Sequence, residues 1–431
     1  LIPIFQVKGY SFDQPGNARS GRARLPAADG NNEDRSMSAD MTRNWNRRDI
    51  LRTAGFGLAA ASLPATFRQS RAAEPLKVAV FVPDSGPAAL FGPACHAAAS
   101  IGADAVNAAG GILGRKAEIV FADAGVPPAE AAKTATRLLL SQQVDMVFGS
   151  HDSAVRQALE ATIKGKVPYI YTPVYEGGDC ASHTFYLGET PEQQIAPSLP
   201  KLVDIAGGKT VYLIGNDYVW PHVTNKRAKE MVAKLGGKIV GEEYYPLGAP
   251  NKFESSIQKI KSAKPAIVLQ TLVGGDNVNF NRTFADFGLA KDILRMSCLL
   301  EENTLAGIGK DASANLYSCL GYFSVIDTPE NKAFLAAQKK KYGDKAPVQN
   351  AISKGLYDAF SMSNKVAGKA KSVDAGKFTA AAEGVRFDTP SGEMTIHHRH
   401  TTKNMYLARC EGTAFKIVET FKEVPTQQTC S

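Results

Sequence analysis

From Leu76 onward, short apolar runs alternate with helix-length amphipathic stretches. Leu76–Pro83 is an unbroken apolar run, the mark of a strand buried on both faces. A helix is predicted over Ala94–Ala109, stopped by Gly110-Gly111. A strand over Glu118–Asp123, a helix over Pro128–Ser141 and a strand over Asp145–Phe148 follow. A helix from about Ala154 then leads to a strand over Pro168–Tyr171. The pattern pauses over Tyr175–Pro191 and restarts. Strands are predicted over Thr210–Ile214, Lys238–Tyr245, Ala266–Thr271, Leu294–Leu299 and Leu316–Tyr322. Helices over His222–Leu235, Phe253–Ser262 and Val278–Phe287 separate the first four. After Pro329 the chain reads as helical to about Gly384, then closes in short strands around Glu393–Ile396, Met405–Ala408 and Phe415–Val418. Apolar strands alternating with helices imply α/β architecture: two doubly wound parallel-sheet lobes joined by a multi-strand hinge.

Length agrees with more than one lobe, at 431 residues. Outside a short N-terminal run, no window approaches the ~18 apolar residues of a membrane span. The net charge of +8 first suggests nucleic acid, but its distribution does not. Residues 1–72 hold 11 Lys/Arg and 6 Asp/Glu; the remaining residues hold 39 and 36, nearly balanced. No Arg-rich stripe with interleaved aromatics occurs in the body, so nucleic acid is not an expected partner.

The basic excess sits in a leader. Arg47-Arg48 opens a charged segment, Thr53–Ala65 is modestly apolar, and Ser70-Arg71-Ala72 has small-x-small cleavage character. Residues 41–72 therefore read as a twin-arginine-type signal peptide, placing the mature chain in the periplasm. Residues 1–40 lack periodicity and read as a disordered extension. Gly55-Phe56-Gly57-Leu58-Ala59-Ala60 mimics a dinucleotide fingerprint but lacks the preceding strand. In an exported chain, all six cysteines are disulfide candidates: Cys95, Cys180, Cys298, Cys319, Cys410 and Cys430. Buried free thiols are the alternative.

In open parallel sheets, ligands bind beyond the carboxyl ends of the strands. That rule selects Ser85, Gly149-Ser150-His151, Tyr171, Asn216-Asp217-Tyr218, Thr271, Glu301 and Glu302. Ser150 and Thr271 offer hydroxyls, and Glu301 or Glu302 can accept from an ammonium or an amide NH2. Tyr171, Tyr218 and Trp220 offer flat, semi-polar walls. Ser150 can equally cap a helix.

Several segments carry a resemblance. Asn107 to Lys116 (NAAGGILGRK), followed by Asp123, resembles the first βαβ unit of the periplasmic leucine/isoleucine/valine-binding family. Thr172–Gly177, Gly215–Pro221 with Asn225, and Tyr322–Pro329 resemble its amide-sensing and urea-binding branch. The resemblance spans about residues 75–420. It implies a type I periplasmic-binding-protein clamshell. The first lobe would take residues 75–189 and 327–386, the second 190–326 and 387–431. It also implies a monomeric solute receptor of an ABC importer, with a membrane permease as partner and no cofactor or metal. The solute would be a small amide, urea or a branched-chain-type amino acid. The resemblance further implies that Ser150 contacts the ligand from the first lobe and Thr271 from the second. Tyr171, Tyr218 and Trp220 would line the site, Phe91 would place a ring over the ligand, and Glu301 or Glu302 would supply a carboxylate. Phe148 and Pro173 depart from the tyrosine and threonine that can stand there, and Asp276 follows Thr271 closely.

Two other classes remain: a sensor on the same scaffold, and a hydrolase built on Ser150, His151, Asp152 and Ser153. The hydrolase reading lacks a GxSxG elbow, and His151 directly adjoins Ser150. His397-His398-Arg399-His400 suggests a metal, but adjacent strand histidines point to opposite faces.

Overall fold

The computed structural model describes residues 74–250 and 252–428. The leader and the extension before it therefore lie outside the described residues, as does Cys430.

β1 (Leu76–Val82) is buried along nearly its whole length, as its apolar run demands. After it come α1 (Gly92–Ala108), β2 (Ala117–Asp123), α2 (Pro128–Ser141), β3 (Met146–Gly149) and α3 (Ser153–Ile163). β4 (Tyr169–Tyr171) and β5 (Thr184–Tyr186) complete a parallel block ordered β2-β1-β3-β4-β5. α4 (Pro191–Ala206) leads into the second block. That block comprises β6 (Thr210–Asn216), α5 (Val219–Lys234), β7 (Lys238–Tyr245), α6 (Glu254–Ala263), β8 (Ile267–Thr271), α7 (Gly275–Asp286), β9 (Leu294–Ser297), α8 (Glu302–Ile308) and β10 (Leu316–Leu320). Its strands are parallel in the order β10-β9-β8-β6-β7. The strand–helix alternation read from the sequence is thus realised twice.

The rest of the chain ties the blocks together. It forms α9 (Pro329–Tyr342), α10 (Ala351–Ala370), α11 (Ala375–Ala382), β11 (Arg386–Thr389), β12 (Gly392–His397), β13 (His400–Glu411) and β14 (Ala414–Val424). α10 packs on α1 of the first block. A Cβ at Gly102 would lie 2.8 Å from the Phe360 ring, so only glycine admits this approach. β13 pairs antiparallel with β10 and touches β5 through the single pair His400↔Tyr186, joining both blocks. Where the chain crosses between them, the Gly321 N–H donates to Glu189 at 2.7 Å. Buried Lys403 donates to the Leu187 carbonyl, and Gln194 donates to the carbonyls of Cys298 and Cys319. The Lys354–Asp358 pair is buried close by, at 2.6 Å. Such groups must be paired when removed from water, and here the pairing fixes how the crossing segments meet.

Two elements fall in or just after the stretch where the sequence pattern pauses. β5 is only three residues long. α4 carries Pro197 and Pro200 inside it, which read as helix breakers. Burial of Ile195, Leu199 and Leu202 outweighs the lost backbone bonds. His398 and Arg399 have φ of 49° and 62°, forming the two-residue turn between β12 and β13. His397 meets Glu383 at 3.1 Å, while His400 stacks on Tyr175 and Tyr186. No helix among the described residues is long and apolar enough to cross a membrane.

The cysteines correct the disulfide expectation for four positions. Cys95, Cys298, Cys319 and Cys410 are free and buried. Burial pushes the Cys298 thiol up to about 12. Cys95 and Cys410 sit in the apolar core, as do Cys298 and Cys319 at the ends of neighbouring strands. Cys180 is disulfide-bonded.

Candidate functional site

The carboxyl ends of the strands converge on one cleft, with about 690 Å³ of empty space including its open mouth. Loops after β1 contribute Pro83, Ser85, Pro87, Ala88 and Phe91; the loop after β2 contributes Ala124 and Gly125. Ser150, His151, Asp152 and Ser153 follow β3, Tyr171 ends β4, and Pro173 and Val174 follow it. From the second block come Tyr218 and Trp220 after β6, Leu247 after β7, Val273 after β8 and Leu299 after β9. Ile352 reaches in from α10. Most of this wall is apolar or aromatic, with polar groups concentrated on the first-block side, as small-molecule sites commonly are.

The polar side is held rigidly. The Ser150 N–H donates to the Phe81 carbonyl at 2.9 Å, and its hydroxyl lies 3.7 Å from the Cys95 sulfur. Ser85 donates to Asp123 at 2.6 Å. Asp152 caps α3: its Oδ1 accepts from the N–H groups of Ala154 and Val155 at 2.8 and 3.0 Å. Ser153 donates to Glu176 at 2.9 Å, and Glu176 also accepts two bonds from Arg156 at 2.9 and 3.2 Å. The Arg156 guanidinium lies over the rings of Tyr171 and Tyr175, 5.2 and 4.7 Å from their centroids. It supports the cleft from behind without lining it. The Tyr171 hydroxyl donates to the His151 carbonyl at 2.7 Å, leaving its ring as the wall. His151 is bonded to the Tyr169 hydroxyl at 2.9 Å, and burial lowers its pKa to about 4, so the ring is neutral near pH 7. Opposite, Tyr218 and Trp220 lie with ring centroids 6.3 Å apart. Burial, then the neighbouring Tyr171, Asp152 and Glu176, keep the Tyr218 hydroxyl protonated.

Eight sequence-selected residues meet here: Ser85, Phe91, Ser150, His151, Tyr171, Pro173, Tyr218 and Trp220. Gly149, Asn216, Asp217, Thr271, Glu301 and Glu302 do not line the cleft. Thr271 is turned towards Asn225 and donates to its side-chain oxygen at 3.2 Å. Glu301 caps α8, accepting from the N–H groups of Asn303 and Thr304 at 2.7 Å each. Glu302 accepts from the Ser324 N–H at 2.6 Å. Asp276 accepts from Asn216 at 2.7 Å and also stands outside the cleft. His151 is a wall residue that the strand-end rule also selects, whereas Asp152 and Ser153 are wall residues that the sequence suggested only for a hydrolase. Their position directly after β3 is the signal that marks them. Leu247, Val273, Leu299 and Ile352 carry no signal distinguishing them from ordinary core.

A sequence model of one family, described as "Periplasmic binding protein", matches residues 75–414. The Leu/Ile/Val-binding protein homolog 7 of Brucella suis biovar 1 (strain 1330) is 27% identical over 346 residues, covering 73% of this chain and 85% of the relative. The leucine-, isoleucine-, valine-, threonine-, and alanine-binding protein of Pseudomonas aeruginosa is 23% identical over 359 residues, covering 80% and 92%. Among solved structures, the solute binding protein of an ABC transporter from Rhodopseudomonas palustris HaA2, in complex with p-hydroxybenzoic acid, aligns with a TM-score of 0.72. It is 26% identical, and the alignment covers 81% of this chain and 98% of that one.

Proposed function

This chain belongs to the periplasmic binding protein family, and on that premise we propose that it is the solute receptor of an ABC importer. It closes on a small solute and presents it to a membrane permease. The two lobes are residues 75–189 with 327–386 and residues 190–326 with 387–431. The packing of α10 on α1 and of β13 on β10 supports that division. Residues 41–72 are the export signal of this reading.

One observation carries the proposal: both parallel blocks contribute strand-end residues to a single cleft. A solute held there touches both walls at once, which is what drives clamshell closure. The cleft chemistry narrows the solute to one with an apolar, preferably flat, body and a small polar head. The body lies among Phe91, Tyr171, Tyr218, Trp220 and Leu247; the head faces Ser150 and its neighbours. Urea has no such body, whereas a substituted amide or a branched-chain amino acid does. Leucine, isoleucine and valine, named with threonine and alanine for one relative, and p-hydroxybenzoic acid, named for a solved neighbour, have this division into body and head.

Isothermal titration against urea, isobutyramide, leucine and p-hydroxybenzoate tests the reading. We expect 1:1 saturation by at least one apolar-bodied solute and none by urea. Absence of binding throughout, or consumption of a solute in a parallel turnover assay, would contradict a receptor.

A further inference from the structure

We propose that Asp152 sets the charge class of the solute, accepting a hydrogen bond from a neutral or cationic donor head and rejecting a bare carboxylate. The inference rests on the cleft being the solute site, as proposed above.

Among the described residues lining the cleft, no lysine or arginine occurs, and Asp152 is the one acidic side chain. The neighbouring His151 is buried and hydrogen-bonded to Tyr169, so it brings no cation. The wall therefore carries one formal negative charge.

An anionic head would need compensation from elsewhere, and both obvious sources are already engaged. The first is the N-terminus of α3, whose exposed N–H groups would ordinarily attract an anion. Here the Ala154 and Val155 N–H groups are directed at Asp152 Oδ1. The second is Arg156. Its guanidinium is buried behind the wall and paired with Glu176 and Asp179.

The remaining carboxylate oxygen is different. Asp152 Oδ1 takes both cap bonds, while Oδ2 has no hydrogen-bond partner among the described residues. It belongs to a half-buried residue in a cleft walled mostly by apolar groups. A charged acceptor there gains most from a donor arriving with the solute, since bonds to ionised groups are the stronger ones. An amide NH2, an ammonium or an amidinium supplies that donor. A carboxylate supplies a second negative charge instead, at short range and with little water to screen it.

Three probes with one ring and three heads provide the test: benzamidine, benzamide and benzoate. Each is titrated calorimetrically into the full chain and into Asp152→Asn. Asparagine caps helices as well as aspartate does, so the variant keeps α3; Asp152→Ser serves as a second charge-free cap. We expect the wild type to bind benzamide or benzamidine at least tenfold more tightly than benzoate. Both variants should then shift the benzamidine-to-benzoate ratio at least tenfold towards benzoate. Benzoate as the tightest wild-type ligand, or a ratio the variants leave unmoved, overturns the proposal. If no ring probe binds but isobutyramide or leucine does, Asp152→Asn must weaken that solute at least tenfold; unchanged affinity, or p-hydroxybenzoate as the tightest solute of the earlier panel, overturns the role. If the wild type binds nothing in either set, the receptor reading fails and this proposal falls with it.

Discussion

Glu301 and Glu302 are adjacent carboxylates just past a strand, where the sequence offers them to an ammonium. The structure gives them internal duties instead. Glu301 is a helix cap, and Glu302 holds the Ser324 backbone between β10 and α9. The second oxygen of Glu302 is sealed from solvent without a partner, and burial pushes its pKa up to about 8. The sign of the consequence is fixed. The unfolded carboxyl ionises near pH 4.5, while the folded one keeps its proton to about pH 8. Its contribution to stability is therefore complete below pH 4.5 and is lost as pH rises through 8. Comparing melting temperatures of wild type and Glu302→Gln isolates this group. We expect the wild type to fall relative to the variant between pH 4.5 and 8, and to run parallel to it above. A constant difference across that window would show that Glu302 is ionised in the fold. At this scale the sequence placed residues along the chain but not by face. Thr271 ends β8 as surely as Tyr171 ends β4, yet one side chain turns to Asn225 and the other lines the cleft.

Strands and helices were more legible than side-chain directions, because period and turn signals act locally. β1, α2 and β7 fall within a residue of their expected bounds. α4 did not, since its prolines oppose helix locally and only packing against the rest of the molecule favours it. The loops between elements carry a contact between the two blocks that composition alone did not reveal. Pro87, after β1, meets Gly248, after β7, and the Gly274 backbone at the start of α7. Gly248 has φ +75°, and an alanine Cβ there would overlap the Pro87 ring. Gly248→Ala therefore carries a backbone cost of about 1–2 kcal/mol in any state, plus a clash present only when the loops meet. We expect solute affinity to fall about tenfold or more, equivalent to about 1.4 kcal/mol. Pro87→Ala removes the overlapping ring atoms, so the double variant should recover most of that loss. Strictly additive effects would show that the loops do not touch in the bound state.

The described residues form two parallel α/β blocks whose strand ends share one cleft. Strand ends supply the walls, crossing segments are joined by buried bonds such as Gly321–Glu189, and the last helices return to the first block. This level was readable early because buried parallel strands leave long apolar runs, and ligand sites follow strand ends by geometry. The identity of the solute was not, because apolar wall residues look like core until the two blocks are placed face to face. Binding is expected to draw these blocks together. Small-angle scattering of the full chain, with and without a saturating amount of the tightest solute found by titration, measures this directly. A smaller radius of gyration and a narrower distance distribution are expected in the bound sample. Superimposable profiles at demonstrated saturation would contradict closure on binding.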